Sequence, residues 1–493
     1  HYDRTDRCQF TTFVGYEWSA SPSDGTLHVG KVHNLHRNVI FRNSIVPEVP
    51  VDFFDAAHVE ELWSGLRKHC LDTGSGCDAL TIPHNANLSA GRMFNEEMKD
   101  ALPFTAAYAQ ERAFFEPLME IYQHKGSSEC VPGQTSGDEL CDFEIVPYDN
   151  LRAAKQDKMT AVSPSDTMRY GLGEGLRLAG TLGTNPFEYG IVGGTDNHLG
   201  LAGNTNEAQF RGGGGAGDMR VGDQVIEFPD RVYFGGGGLG GVWAEENSRE
   251  AIFRALRRKE TYGTSGTRMV VRFFGGEYPE DLCERRDFEQ EGYRAGVPMG
   301  GTLVPGAFAG APRFAVFAMR DPGTAEFPGA ALQRVQIVKG WVDSQGAVHE
   351  KLFAVAGDTD LSAWVNQDTC LPEGKGSASL CSVWTDPEFD PTNRAYYYAR
   401  VLEVPTCRWS TRMCVQAKYD CDKQDRPIDK QCCQQSAGLH PRDCRAVVCD
   451  ETNANDACCQ PGVVRPFIQE RAWTSPIWYN PVSKQQEPPP SNR

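Results

Sequence analysis

The stretch YGIVGGTDNH, residues 189–198, is an apolar run that ends in a carboxylate and an imidazole. Side chains two positions apart leave a strand on the same side, so Asp196 and His198 can converge on one point. Zn, Mn and Fe accept such a mixed set of oxygen and nitrogen donors. The stretch therefore predicts a buried strand whose end carries part of a metal site.

Around this stretch, short apolar runs alternate with helical patterns. Strands are predicted at 10–17, 38–42, 78–83, 118–122 and 189–193, and helices at 58–69, 105–117, 164–180 and 248–259. Strands that alternate with helices predict a parallel α/β sheet or barrel. In parallel barrels the functional side chains gather at the carboxyl ends of the strands.

Four further candidate residues lie at or beside predicted strand ends. Glu17 ends the first strand and could bridge two metals, although taken alone it is better explained as a salt-bridged or exposed glutamate. His36 precedes the second strand and His84 follows the third, and either one alone could be a structural histidine. His124 follows the fourth strand and could be a ligand, a proton shuttle or a loop residue. Their shared placement favours a joint metal site.

Composition divides the chain into four parts. Residues 1–268 hold the strand–helix pattern and a glycine-rich stretch, 204–241, which is more typical of a structural or mobile loop than of a phosphate-binding loop. Residues 269–406 contain strands separated by Pro, Gly and Asp turns and predict an all-β, sandwich-like domain. A disulfide-rich insertion at 407–460 interrupts this domain. Residues 461–493 return to it and end in a proline-rich tail.

The chain has 17 cysteines, nine of them from Cys407 to Cys459. No clean pair of Cys-x-x-Cys spacings is present, so disulfides explain these cysteines better than zinc does. Close spacing across turn residues predicts three bonds: Cys70–Cys77, Cys130–Cys141 and Cys370–Cys381. The insertion is expected to be stapled separately. An oxidising location, whether secreted, periplasmic or at the cell surface, is therefore predicted.

Charge and hydropathy argue against two classes of partner. The formal net charge of -17 repels phosphate backbones, so nucleic-acid binding is not expected. No apolar run approaches the ~18 residues of a membrane span.

Several motifs together resemble one protein family. They are Gly15–Ser19, Leu35–Arg42, Ile82–Asn85, Glu120–Gly126, Gly194–His198, Trp243–Asn247, Thr261–Gly266 and Arg471–Trp478. The family is the domain-of-unknown-function family 3604, a branch of the PHP (polymerase and histidinol phosphatase) superfamily of metal-dependent hydrolases. The likeness extends over nearly the whole chain except 407–460.

The resemblance implies a distorted (β/α)7 barrel with two or three divalent metal ions, Zn, Mn or Fe. Glu17 resembles the bridging carboxylate, His36 and His84 resemble mid-barrel ligands, and Asp196 with His198 resembles the closing pair. The superfamily also has a His-x-His and a second-strand histidine ahead of the glutamate motif, and this sequence has neither. We therefore expect the first barrel strands on a second polypeptide from the same precursor, docked beside the strand that ends at Glu17.

The sequence is consistent with two functions. The first is a secreted metal-dependent hydrolase that activates water against a small-molecule ester, either a phosphate ester or a carboxylic ester or carbamate. Arg37 would neutralise substrate charge in this hydrolase, and His124 would protonate the leaving group. The second is a non-enzymatic extracellular structural or binding protein on an inherited PHP-like scaffold. The amount of bound metal discriminates between them.

Overall fold

The computed structural model describes residues 10–23, 31–95, 102–151, 160–213, 232–358, 362–366, 369–416 and 464–481. The α-helices in these ranges are Val59–His69 (α1), Ala106–Phe115 (α2), Met168–Leu182 (α3), Arg249–Arg257 (α4), Phe288–Arg294 (α5) and Trp409–Gln416 (α6). The four helices predicted from the sequence are confirmed as α1 to α4, with their ends shifted by a few residues.

Helix α1 illustrates how local sequence determines these elements. The Glu61 carboxylate accepts a hydrogen bond from the backbone amide of His58, which satisfies one of the free amides at the start of the helix. Basic side chains occupy the last turn, where they favour the negative end of the helix dipole. The buried face consists of Leu62, Trp63 and Leu66, and it packs into the main core.

The first half of the chain contributes two three-stranded sheets. The strands are Val14–Trp18 (β1), Arg37–Phe41 (β2), Ala79–Pro83 (β3), Leu118–Gln123 (β4), Gly126–Ser127 (β5) and Gly190–Gly193 (β6). One sheet has the order β1-β2-β3 and is antiparallel throughout. In the other, β4 pairs in parallel with β6 and antiparallel with β5.

The predicted parallel arrangement is wrong for β1, β2 and β3, whereas β4 and β6 are parallel as expected. A parallel pair needs a crossover connection, which is usually helical, but the described residues between β1 and β2 contain no helix. The described strands form several separate sheets and no closed barrel. The mixed α/β class is thus confirmed at this level.

The remaining strands continue to the end of the described chain. They are Leu239–Val242 (β7), Thr261–Thr264 (β8), Val270–Gly276 (β9), Gly296–Pro298 (β10), Thr302–Leu303 (β11), Arg313–Met319 (β12), Leu332–Val342 (β13), Val348–Gly357 (β14), Trp364–Asn366 (β15), Leu371–Glu373 (β16), Ser379–Thr385 (β17), Arg394–Glu403 (β18), Thr406–Cys407 (β19), Phe467–Ile468 (β20), Arg471–Thr474 (β21) and Ile477–Tyr479 (β22). The largest sheet has the order β11-β22-β18-β21-β8-β7, and β13 joins β18 to β14. Because β7 and β8 precede residue 268, the predicted boundary at 268/269 runs through one sheet.

A second sheet of order β10-β9-β12-β17 packs against the largest one. Side chains of both sheets share one buried apolar core. The rings of Phe314 on β12 and Tyr397 on β18 illustrate the contact, with centroids 4.2 Å apart. The two sheets are therefore joined by one shared apolar core.

Glycines let β6 approach the antiparallel pair of β7 and β8 closely. A Cβ atom added to Gly263 would lie 2.9 Å from the backbone carbonyl carbon of Val192, and one added to Gly193 would lie 2.9 Å from the carbonyl oxygen of Thr264. The Thr261 hydroxyl also donates to the carbonyl of Ile191 over 2.9 Å. This close contact fixes the strand that leads into residues 194–198.

Four disulfides join described residues. Cys70–Cys77 and Cys130–Cys141 are confirmed. The predicted Cys370–Cys381 bond is wrong, because Cys370 bonds Cys407 and Cys381 bonds Cys283. Short spacing was a poor guide here, since β17 carries Cys381 into the sheet beside the turn that holds Cys283.

The predicted insertion begins at a cysteine bonded outside it, and residues 417–460 of the insertion lie outside the described residues. Multiple disulfides fit an oxidising compartment. None of the helices in the described ranges combines the length and apolar character that a membrane crossing requires.

Candidate metal centre

Strand pairing brings Glu17, His36 and His84 together at one end of the antiparallel sheet. Glu17 on β1 lies opposite Asn38 of β2. The residue before Asn38, Arg37, lies opposite Pro83 at the end of β3. His36 and His84 flank those paired positions, and the His84 amide donates to the His36 carbonyl over 3.4 Å. Glu17 therefore lies on β1, while His36 and His84 lie directly beside the ends of β2 and β3.

These residues form the first triad. Nδ1 of His36 lies 2.7 Å from Oε1 of Glu17, and Nε2 of His84 lies 3.5 Å from the same oxygen. Burial works to raise the pKa of Glu17, but hydrogen bonds from the two imidazoles outweigh it and hold the pKa well below its usual range. Glu17 is therefore an anion that both histidines face.

The second triad consists of His124, Asp196 and His198, which follow β4 and β6. Nε2 of His124 lies 3.2 Å from Oδ2 of Asp196, and Nε2 of His198 lies 3.5 Å from Oδ1. The Lys125 ammonium also contacts Oδ2 of Asp196. Burial works to raise the pKa of Asp196, but His124 and Lys125 outweigh it and hold the pKa well below its usual range.

The backbone is strained in the second triad, and also beside His84 of the first triad. Asp196 has a φ of 50° and Asn85, next to His84, has a φ of 51°. Left-handed backbone at residues other than glycine costs free energy and clusters at functional sites. Both strained residues lie where a strand passes into the loop that carries a histidine.

One amide joins the loops that carry the two triads. Nε2 of Gln123 donates to Oδ1 of Asn85 over 2.5 Å and to Oδ2 of Asp196 over 2.8 Å. Glu120, on the same strand, is 6% exposed. Burial raises its pKa to about 8, opposed by His84 and reinforced by the Asp196 carboxylate. The two triads therefore belong to one site with Glu120 and Gln123 between them.

Four further residues of the site were not predicted as site residues from the sequence: Glu120, Gln123, Lys125 and Asn85. One signal could have found Glu120, because a charged residue inside the apolar run Leu118–Tyr122 has to be buried with its strand. The other three have polar side chains next to the predicted histidines. Their roles depend on contacts between distant parts of the chain.

The donor atoms of each triad fit a cation. Within either triad, one ligand atom from each residue lies within 4.8 Å of the others. Nδ1 of His84 is also buried and has no hydrogen-bond partner among the described residues. Imidazole nitrogens with one carboxylate are donors that Zn, Mn and Fe accept. His198 is 47% exposed at its side chain, so this end of the site opens to solvent.

Arg37 is not brought to the cluster. Its guanidinium is buried, and its Nε donates to Oε1 of Glu116 over 2.9 Å. Burial works to raise the pKa of Glu116, but Arg37 and Arg112 outweigh it and lower the pKa. Since the charge of Arg37 is already neutralised inside the core, Lys125 is the cationic side chain that the described residues bring to the site.

Glycines 235–238, part of the glycine-rich stretch, pack against the loops of the second triad. The amide of Gly235 donates to the His124 carbonyl over 3.0 Å, and that of Gly238 donates to the Gly194 carbonyl over 2.7 Å. A Cβ atom on Gly237 would lie 2.8 Å from Cα of Thr195. This part of the stretch is a structural support for both loops of the second triad, while 214–231 lie outside the described residues.

The comparison with known protein families gives one match. The family model described as "Protein of unknown function (DUF3604)" matches residues 1–437. No curated protein and no solved structure matches the chain. The matched residues are most of the chain and include both triads. The chain therefore belongs to the DUF3604 family.

Proposed function

We propose that this protein is a metal-dependent hydrolase of the PHP type whose two triads hold two divalent ions. The observation that carries the proposal is the convergence of six metal-type side chains at one end of the N-terminal strands. They are Glu17, His36, His84, His124, Asp196 and His198. Buried titratable groups at this density are typical of functional sites.

The chemistry follows from the donor set. Two ions, Zn, Mn or Fe, would lower the pKa of a water held between them and so supply a nucleophile near neutral pH. Glu17 suits a shared position, because one of its oxygens faces two imidazoles. Asp196 is arranged differently in the second triad, where Oδ2 faces His124 and Oδ1 faces His198.

The remaining side chains suit the binding of an ester. Lys125 takes the charge-neutralising role that the sequence predicted for Arg37, since its side chain is 20% exposed beside Asp196. His124 is buried in the second triad, so we assign it as a ligand rather than as the group that protonates the leaving group. Substrate would enter past His198. Phosphate esters and carboxylic esters or carbamates both remain candidates.

We propose further that a strand from a second polypeptide docks beside β1. Among the described residues β1 pairs only with β2, so its other edge has no strand partner. Val14 on this strand is 37% exposed. An open edge with exposed apolar side chains favours strand addition. The added strands would extend this antiparallel sheet past β1.

The four disulfides support a secreted, periplasmic or cell-surface location, since cytosolic thiols are kept reduced. One observation favours a second candidate function, a non-enzymatic extracellular structural or binding protein. The Lys125 ammonium contacts Asp196 and thereby already supplies a cation to the second triad.

Metal content of the full-length chain tests the proposal. Protein stripped with a chelator and dialysed against Mn²⁺ is expected to retain two equivalents by elemental analysis, and to hydrolyse p-nitrophenyl phosphate or p-nitrophenyl acetate. Asp196→Asn should lose about one equivalent and most activity, because it removes the carboxylate charge of the second triad. Asp343→Asn is the matched control, since Asp343 also pairs with a histidine, His349 at 2.7 Å, but on an exposed surface.

The outcomes separate the two functions. Two equivalents in wild type and in Asp343→Asn, with one in Asp196→Asn, support the hydrolase. A wild-type chain that retains no Mn²⁺, Zn²⁺ or Fe²⁺ and hydrolyses neither ester overturns it in favour of the structural or binding protein.

A further inference from the structure

The stem of the cysteine-rich segment reaches the back of the metal centre. We define the stem as β19, β20 and α6, where Thr406 pairs with Ile468 and Cys407 with Phe467. The Cys370–Cys407 disulfide anchors it to the loop before β16. The stem therefore holds Arg408 and Trp409 in a fixed position.

Arg408 makes a buried, forked contact inside the first half of the chain. Its Nε and NH2 groups donate to both carboxylate oxygens of Glu144 over 2.9–3.1 Å. NH2 also donates to the backbone carbonyl of Phe234 over 2.8 Å. Paired donors of this kind fix direction as well as distance, which a lysine could not do.

Trp409 donates to the same carbonyl. Its indole Nε1 lies 2.7 Å from the carbonyl oxygen of Phe234, and its ring packs against Phe210 with centroids 4.6 Å apart. Its backbone amide donates to Oε2 of Glu207 over 2.7 Å. Two donors from adjacent residues of the stem therefore converge on one backbone oxygen.

Phe234 and the residue after it contact His124. The ring centroids of Phe234 and His124 are 5.0 Å apart. The amide of Gly235 donates to the His124 carbonyl over 3.0 Å. The side chain of Glu144 is held by Arg408, and its backbone carbonyl accepts a hydrogen bond from the Ser127 amide over 3.0 Å. Ser127 lies on β5, so this bond fixes the far side of the β4–β5 turn that contains His124. The stem is thus linked to His124 through these intermediate groups.

We infer that Arg408 and Trp409 are positioning residues for His124, and through His124 for the second triad. Among the described residues, we find no contact between the stem and Glu17, His36 or His84, which lie at or beside the ends of β1, β2 and β3. The part of this inference that concerns metal affinity rests on the proposed function. Groups that orient a ligand from behind typically change metal affinity about 10–100-fold when they are lost.

The test uses Trp409→Phe in the full-length chain. This change removes the indole donor to Phe234 but keeps an aromatic ring against Phe210. Trp243→Phe is the matched control, because the Trp243 indole also donates to a backbone carbonyl, that of Val271 over 2.9 Å, away from both triads. In a titration with Mn²⁺ alone, Trp409→Phe should weaken the affinity of the second triad for Mn²⁺ about 10–100-fold. The affinity of the first triad should stay unchanged. Trp243→Phe should leave both equivalents at wild-type affinity.

A second measurement needs no metal. The ring ¹⁵N shifts of His124, assigned by comparison with His124→Gln, should move in metal-free Trp409→Phe and in Arg408→Lys but stay fixed in Trp243→Phe. Equal shifts in wild type and Trp409→Phe, or an equal loss of both metal equivalents, overturn the inference. Wild type that binds no metal while the His124 shifts move as expected refutes the proposed hydrolase and leaves the positioning role supported.

Discussion

Arg400 and Asp138 are 262 positions apart, yet NH2 of Arg400 and Oδ1 of Asp138 meet at 2.7 Å in a fully buried ion pair. Glu129 joins them, with Oε1 3.1 Å from Arg400 and 2.7 Å from Arg169. The network joins β18 of the large sheet to the loop closed by Cys130–Cys141. It therefore holds the two halves of the chain together.

This network predicts acid sensitivity. Burial works to raise the pKa of Glu129, but Arg400 and Arg169 outweigh it and lower the pKa to about 2. A folded-state pKa below the unfolded value of about 4.3 stabilises the protein above that value, and this stability is lost as pH falls toward 2. The free energy of unfolding should therefore decrease between about pH 5 and pH 2. Denaturant unfolding across this range measures it.

Glu129→Gln should remove part of this pH dependence and lower the neutral-pH stability by about 3–5 kcal/mol, because it leaves buried guanidinium charges underpaired. Glu250→Gln is the control, since its pair with Arg254 at 3.5 Å is exposed and should contribute about 0.5 kcal/mol or less. Equal stability of Glu129→Gln and wild type would contradict the prediction.

The glycine at 237 should be required for the second triad. Gly237→Ala places a methyl group 2.8 Å from Cα of Thr195 on a backbone with a φ of +82°. We expect thermal unfolding at a lower temperature and weaker binding of the second Mn²⁺ equivalent. Gly133→Ala isolates the clash, because Gly133 has nearly the same φ, +81°, and open space around it. Equal melting temperatures of Gly237→Ala and Gly133→Ala would contradict the predicted clash with Thr195.

Replacement of Arg37 by Gln should lower stability, whereas replacement of Lys125 by Gln should lower activity. Arg37→Gln leaves Glu116 without one of its buried cations and should cost about 3–5 kcal/mol of stability. Lys125→Gln should leave the melting temperature within a few degrees of wild type while raising KM or lowering kcat for an ester. Thermal melts paired with steady-state kinetics distinguish the two. An Arg37 variant that is stable but inactive would restore its predicted catalytic role.

The long disulfide should stabilise more than the short one. Cys283–Cys381 closes a separation of 98 residues, whereas Cys70–Cys77 closes one of 7. Because loop closure restricts the unfolded chain more for longer loops, double replacement of Cys283 and Cys381 by Ala should cost roughly twice as much. Urea unfolding of the two double variants compares them directly. Non-reducing peptide mapping should also recover Cys370 linked to Cys407.

Local signals identified the elements that carry the site. Apolar runs and helical spacing are short-range properties, so β3, β4, β6 and the helices α1 to α4 follow from the sequence. The side chains at their ends followed too, since His84, His124 and Asp196 come directly after apolar runs. A reactive side chain at the end of a strand can be predicted without knowing which strands lie beside it.

Long-range pairing was not readable in this way. Strand direction in the sheet of β1, β2 and β3 depends on how the chain returns between strands. The partner of Arg37 is Glu116, 79 positions away, and no spacing rule connects them. The bond between Cys283 and Cys381 depends on sheet packing for the same reason. Predictions failed where two distant segments decide together which groups meet.

The stem has a consequence for how this protein changes over evolutionary time. Because Thr406 pairs with Ile468 and Cys407 with Phe467, the two strands that flank the cysteine-rich segment lie side by side. Loops with adjacent ends tolerate insertion and replacement far better than those that span a domain. The stem therefore lets the sequence that follows α6 vary in length without moving β19 and β20 apart.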